Sequence, residues 1–218
     1  MATITDYGTL KSEVQTWAVR PDTTFGNRVP MFVEAAEARL YNGAGEPGEE
    51  LYSPPLRSSV METTATVSLT DGVGTMPTNA LAIRKIYRDG DRVGITYQPP
   101  EQFAVFSANN LTAADGIYYT IEDGVLKVAP PSSDDIMLSY YQSFDAVTPT
   151  NTTSPLLSTH GGIYLAACLF EAFTFLQEGQ LAGAHLARLR SMIAGANRTT
   201  AALRTAGPLR VRLRNPIP

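Results

Sequence analysis

The chain has 218 residues, 44% of them hydrophobic and 17% charged, the balance of an ordinary globular protein with one large domain or two small ones. No apolar run approaches the roughly 18 residues of a membrane span, the N-terminus lacks the basic flank and apolar centre of a signal peptide, and a single cysteine, Cys168, leaves no internal disulfide. A membrane partner and a disulfide scaffold are therefore not expected, and synthesis in the cytoplasm is. The net charge of −4 hides a division: residues 1–178 hold all 21 acidic side chains, whereas residues 179–218 hold seven arginines and no acid. A basic end on an acidic body is expected to seek an acidic surface on a partner, a sister subunit or nucleic acid.

In chain order, Thr5 or Asp6 caps a first helix in which Tyr7, Leu10, Val14 and Trp17 recur at helical spacing. "RPDTTFGN" reads as a loop. Pro30 suits a first helical turn, and Val29, Phe32, Val33, Ala36 and Leu40 form the apolar stripe of a second helix. Residues 42–55, "NGAGEPGEELYSPP", read as an exposed acidic excursion.

The middle of the chain changes period. "SSVMETTATVSL" is rich in Val and Thr. "LAIRKIYRDGDRVGITYQ" reads as a hairpin bent at Asp89 and Gly90, and "YYTIEDGVLKVAP" as a second bent at Asp123 and Gly124. "PPEQFAVFSA" is a short helix between them, and "DIMLSYYQSF" adds a strand to what is expected to be one antiparallel sheet.

After the loop "DAVTPTNTTSPLLST", helical period returns over residues 160–177, with Leu165, Leu169, Ala172 and Leu176 on one stripe and Tyr164, Cys168 and Phe175 beside it. Gly179 is expected to break that helix. Leu186, Leu189, Ile193 and Leu203 then mark a last amphipathic helix carrying Arg188, Arg190 and Arg198 away from the stripe, stopped by Gly207 and Pro208. Four regions follow: an N-terminal helix pair with the acidic loop over 1–57, an antiparallel β domain over 58–145, a C-terminal helix pair over 146–206, and an extended basic tail over 207–218. The class is α+β, with the two helix pairs expected to form one helical bundle.

Catalytic motifs are missing. There is no glycine-rich phosphate loop, G-x-S-x-G, H-E-x-x-H or C-x-x-C. His160 reads as a helix-start residue and His185 as a packing residue; Cys168 lies on an apolar stripe with no basic neighbour and reads as inert. The pairs Glu49–Glu50 and Asp134–Asp135 sit in turn-like sequence where carboxylates are solvated. No metal, cofactor or enzymatic activity is expected.

The tail "AGPLRVRLRNPIP" alternates Leu209, Val211 and Leu213 with Arg210, Arg212 and Arg214. As a strand, those six residues would span about 20 Å with apolar groups on one side and arginines on the other. Such alternation suits docking against a partner better than a polyelectrolyte arm, and the absence of aromatics after Phe175 removes the stacking groups of a single-strand binder. DNA binding by the basic end is the rival reading.

Taken together, a first helix ending in tryptophan, "VPMFVEAAEARL", "METTATVSLTDG", "MPTNALAIRKIYRDG", "YYTIEDGVLKVAPP", "LSYYQSF" and a closing "GPLRVR" resemble the head-to-tail adaptor (connector) proteins of tailed bacteriophages, especially short-tailed ones. Residues 42–55 and "LRNPIP" depart from that pattern. The resemblance implies a structural virion protein of the neck between capsid and tail. It also implies a homo-oligomeric ring, commonly dodecameric, beneath the portal protein, with DNA passing through its channel without sequence-specific binding and a downstream tail or nozzle protein below. The portal-binding residues would be Leu209, Arg210, Val211, Arg212, Leu213 and Arg214.

Overall fold

A computed structural model describes residues 3–88, 94–108 and 116–205, with side chains as far as Leu203. The fold is α+β, with two sheets and helices on both sides of them in the sequence. The chain divides into two compact units: a helical unit from the described parts of Met1–Ile4, Gly8–Ser59 and His160–Pro218, and a sheet unit of Thr5–Tyr7 and the described parts of Val60–Thr159.

In the helical unit, α1 (Tyr7–Trp17) turns Leu10 and Val14 fully inward, as their spacing requires. The expected loop after it contains a short helix, α2 (Thr23–Gly26), because the Asp22 carboxylate accepts from the Phe25 amide at 2.9 Å and caps a turn. The Phe25 amide, and then the Arg20 guanidinium, hold the Asp22 carboxyl below its ordinary pKa. α3 (Val29–Asn42) has its proline in the first turn and buries Val29, Phe32, Val33, Ala36 and Leu40.

Helix α5 (Pro155–Phe175) starts five residues before the expected position, since the Ser154 hydroxyl accepts from the Leu157 amide at 3.0 Å and Pro155 fits the first turn. His160 is a kink inside it, φ −124° and ψ 35°, not its start. Directly after the kink, a Cβ on Gly161 would lie 2.4 Å from the Ile4 carbonyl oxygen, so only glycine permits that approach. By length and composition α5 would span a bilayer, yet 72% of its most apolar stretch is buried in the protein, and core packing accounts for its character. The turn into α6 (Gly179–Thr205) is made by Gln177 in the left-handed region, φ 61°, with Gly179 already helical.

The sheet unit holds two sheets where one was expected. The first has the order β1 (Glu62–Val67), β7 (Ile136–Gln142), β3 (Ala80–Arg88), all antiparallel. The second has the order β2 (Val73–Thr75), β6 (Val125–Ala129), β5 (Tyr118–Glu122), β4 (Thr96–Tyr97). The hairpin expected at 118–129 is present, with Asp123 at φ 50° and Gly124 at φ 72°, the two positive angles of a type I′ turn. Of the hairpin expected around Asp89 and Gly90, one antiparallel bridge is present, Tyr87 with Gly94; the rest of β3 pairs with β7, and β4 pairs parallel with β5. The bend residues themselves lie outside the described residues. Helix α4 (Pro100–Ala108) occupies the expected place. Ile136, Leu138 and Tyr140 of β7 alternate inward onto Val67, Ile86, Leu126 and Val128, which form the core of this unit.

Candidate functional site

The docking residues read from the sequence, Leu209 to Arg214, lie outside the described residues. What the structure places is the helical unit that precedes them in the chain. Of the three α6 arginines with described side chains, two are engaged within the helical unit. Arg188 lies over the Trp17 ring at 5.2 Å, and Arg190 donates to the backbone carbonyls of Tyr52 and Glu50. Arg198 is exposed.

Arg190 belongs to a clamp that sequence reasoning missed. The 42–55 excursion is tied down at its base by paired backbone bonds between Ala44 and Ser53, 2.9 and 2.8 Å. From α3, Arg39 reaches the Leu51 carbonyl at 3.4 Å while its Nε donates to Glu171 of α5 at 3.0 Å, and its guanidinium covers Phe170 at 4.4 Å. The loop's far end continues into a second set of contacts: Asn197 accepts from the Arg57 amide at 2.7 Å and donates to the Pro55 carbonyl at 3.0 Å, and the Thr200 hydroxyl accepts from the Ser59 amide at 3.0 Å. Glu46, Glu49, Glu50 and Leu51 are left exposed on a braced loop. No periodicity signals these bonds, because their partners are far apart in the chain and the arginines look like solvated helix residues.

Beside the loop, a groove of about 540 Å³ has a floor that includes Phe170, Ala182 and Leu186, with Leu51 and Glu50 at its rim. In the sheet unit, a cleft of about 630 Å³ lies between the start of β3 and β5, lined by Met76, Ile83, Tyr97, Tyr119 and Ile121 among others. Burial, and then the Tyr97 hydroxyl, push the Tyr119 phenol up in pKa. Neither cavity has convergent acid, base and nucleophile.

Residues with chemical potential are occupied elsewhere. The Cys168 thiol is fully buried; burial first, then Glu37 and Glu171, push its pKa up, away from the reactive thiolate. His160 Nε2 lies 2.7 Å from the Ser58 hydroxyl, a hydrogen bond made at the kink. Ser58 is buried, so the pair cannot present a nucleophile to a substrate. His185 packs as expected: its ring stacks on Phe173 at 5.2 Å and meets Trp17 edge-on at 6.2 Å. Burial holds both imidazoles below their ordinary pKa, with Arg188 adding to the effect at His185. Among the described residues no group of three or more His, Cys, Asp or Glu side chains could hold a metal. Asp134 bonds Arg88 at 3.1 Å and Ser132, and the Glu49 carboxylate accepts from the Glu46 amide.

A surface rich in braced loops and grooves and poor in chemistry fits an assembly protein. The family model of the SU10 adaptor protein matches residues 5–212. The chain belongs to the SU10 adaptor protein family. No curated protein matches it significantly. Membership makes the chain a phage adaptor, a structural component of the junction between capsid and tail with portal and tail components as partners. The match takes in the 42–55 loop and ends at Arg212, so Leu213 and Arg214 lie beyond it.

Proposed function

We propose that this adaptor assembles as a homo-oligomeric ring, dodecameric as in the proteins it resembles, beneath the portal of a short-tailed phage. There it extends the DNA channel and receives the next tail or nozzle component. The observation that carries the reading is the family match over 5–212; the missing catalytic constellation and the braced surface of the helical unit support it. DNA passes the ring without sequence-specific contact. The two helix pairs act as one bundle that sets the subunit's place in the ring, and the C-terminal segment attaches it to the portal. Leu209, Val211 and Leu213 enter apolar pockets there, and Arg210, Arg212 and Arg214 meet carboxylates.

Deletion of 207–218 tests this. The truncated chain is expected to keep its circular dichroism spectrum and melting temperature and to lose portal attachment in pull-down. Changing Leu209, Val211 and Leu213 to serine is expected to weaken portal binding severely, since each buried apolar side chain is worth roughly 1.5–3 kcal/mol, while leaving duplex DNA binding unchanged. Normal portal docking by the triple variant would favour the rival reading, a DNA-binding arm that works through its arginines.

A further inference from the structure

Val19 stands at the end of α1 with φ 54°, a conformation that β-branched residues almost never adopt. The Val19 amide donates to Thr16 at 3.2 Å and the Arg20 amide to Gln15 at 3.0 Å. These are the two bonds of a Schellman motif, whose left-handed position is ordinarily glycine. The loop is braced around the strained residue: the Gln15 amide nitrogen lies 3.5 Å from the carbonyls of both Arg20 and Asp22, and Arg20 pairs with Asp22 at 2.9 Å. The side chain gains nothing inside the subunit, for it is 80% exposed. Strain without internal benefit points to a use outside the subunit.

We propose that Val19 is an assembly knob that packs, in the neighbouring copy of this chain, against the groove beneath Leu51. A ring interface is heterologous, so one chain must carry two different and complementary faces. The helical unit carries two candidates that share no lining residue. After α1, Val19 and Pro21 line a hollow with Ser12, Gln15 and Thr16, and Arg20 stands between Val19 and Pro21 in the chain. Along α6, the groove floor of Ala182 and Leu186 opens above Gly179 and Gly183, over which an added Cβ would meet nothing within 4 Å. Leu51, 60% exposed, lines that groove together with Glu50, and Glu46 and Glu49 are exposed on the same loop. Aliphatic side chain meets apolar concavity, and Arg20, which keeps about half of its side chain exposed beside Asp22, meets an acidic loop whose backbone Arg39 and Arg190 hold in place.

The proposal rests on the ring reading, and the test separates the two. Val19→Gly in the full chain relieves the backbone while removing the knob. Its melting temperature is expected to rise by about 2–4 °C, while subunit affinity in the ring, read by mass photometry alone and on purified portal, falls at least about tenfold. Gly183→Leu, which fills the groove from the other side, is expected to lower assembly without lowering the melting temperature. Mixing V19C with L51C subunits under a short bis-maleimide is expected to give a cross-linked pair that neither variant alone yields. Wild-type rings accompanied by undiminished assembly of both V19G and G183L, or by no mixed cross-link, overturn the knob and leave the ring standing. Absence of any wild-type ring, alone or on portal, overturns both.

Discussion

The helical unit and the sheet unit specify their internal neighbours by different means. In the sheet unit the buried side chains are almost all apolar, and its ion pairs, Arg84–Glu62, Arg88–Asp134 and Lys127–Glu122, are partly exposed. In the helical unit, polar side chains are buried and joined across long stretches of chain. The Tyr164 hydroxyl donates to Glu37 at 3.0 Å with both residues buried, Arg39 pairs with Glu171, and Ser58 bonds His160. A strand declares its neighbour through its backbone ladder, so side chains need only be apolar and in register. A helix satisfies its own backbone and says nothing about which helix lies beside it, so the choice passes to side chains.

The contrast is broken most strongly by Leu138→Ala. Leu138 is fully buried on β7, the central strand of its sheet, and the truncation is expected to cost about 2–5 kcal/mol. Trp17, the single tryptophan, lies in the helical unit and reports on that unit alone. Hydrogen exchange is expected to accelerate in β1, β3 and β7 while Trp17 fluorescence holds its midpoint in denaturant. A matched shift of both would mean that the units unfold as one body.

A smaller effect sharpens the polar side of the comparison. Glu37→Ala removes the acceptor of the Tyr164 hydroxyl and is expected to lower the stability of the helical unit by about 1–3 kcal/mol. Glu37→Leu combined with Tyr164→Phe removes both partners and is expected to recover most of that loss in the same denaturation assay. Additive losses in the double variant would show that the bond does not act as a unit.

The smallest effect is acid sensitivity. Both histidines of the chain lie in the helical unit, and burial lowers the pKa of each. A histidine whose folded pKa lies below its unfolded value of about 6.5 favours the folded state fully above that pH, and this contribution is lost as pH falls through 6.5 towards the folded pKa. Denaturation between pH 7.5 and 5.5, followed by Trp17 fluorescence, is expected to show declining stability of the helical unit that His160→Gln with His185→Phe flattens. Exchange in the sheet unit should not change with the double substitution.

How much of this was legible in the sequence varies with the range of the signal. Spacing of apolar residues located α1, α3 and α6, Pro100 and Glu101 opened α4, "DIMLSYYQSF" gave the strand β7, and Asp123–Gly124 announced its turn, because each depends on residues a few positions apart. The extra turn at Asp22, the early start of α5 at Pro155 and the left-handed Gln177 are also local, but there a capping side chain or an unusual residue outweighed the general cues. The candidate surface was scarcely legible: Arg39 and Arg190 look solvated, and Val19 looks like the last apolar residue of a helix.

By itself the sequence determined the α+β class, the split between an acidic body and a basic end, the absence of catalytic motifs, and the resemblance to phage adaptors that the match over 5–212 supports. Only the tertiary structure decided that β4 joins β5 in parallel, that the 42–55 loop is clamped by arginines of α3 and α6, and that Val19 is held strained and exposed. Periodicity encodes which face of an element is apolar, and many partners satisfy an apolar face equally well. The actual partner is selected by ladders, caps and charge pairs formed between residues that meet only after the chain has folded.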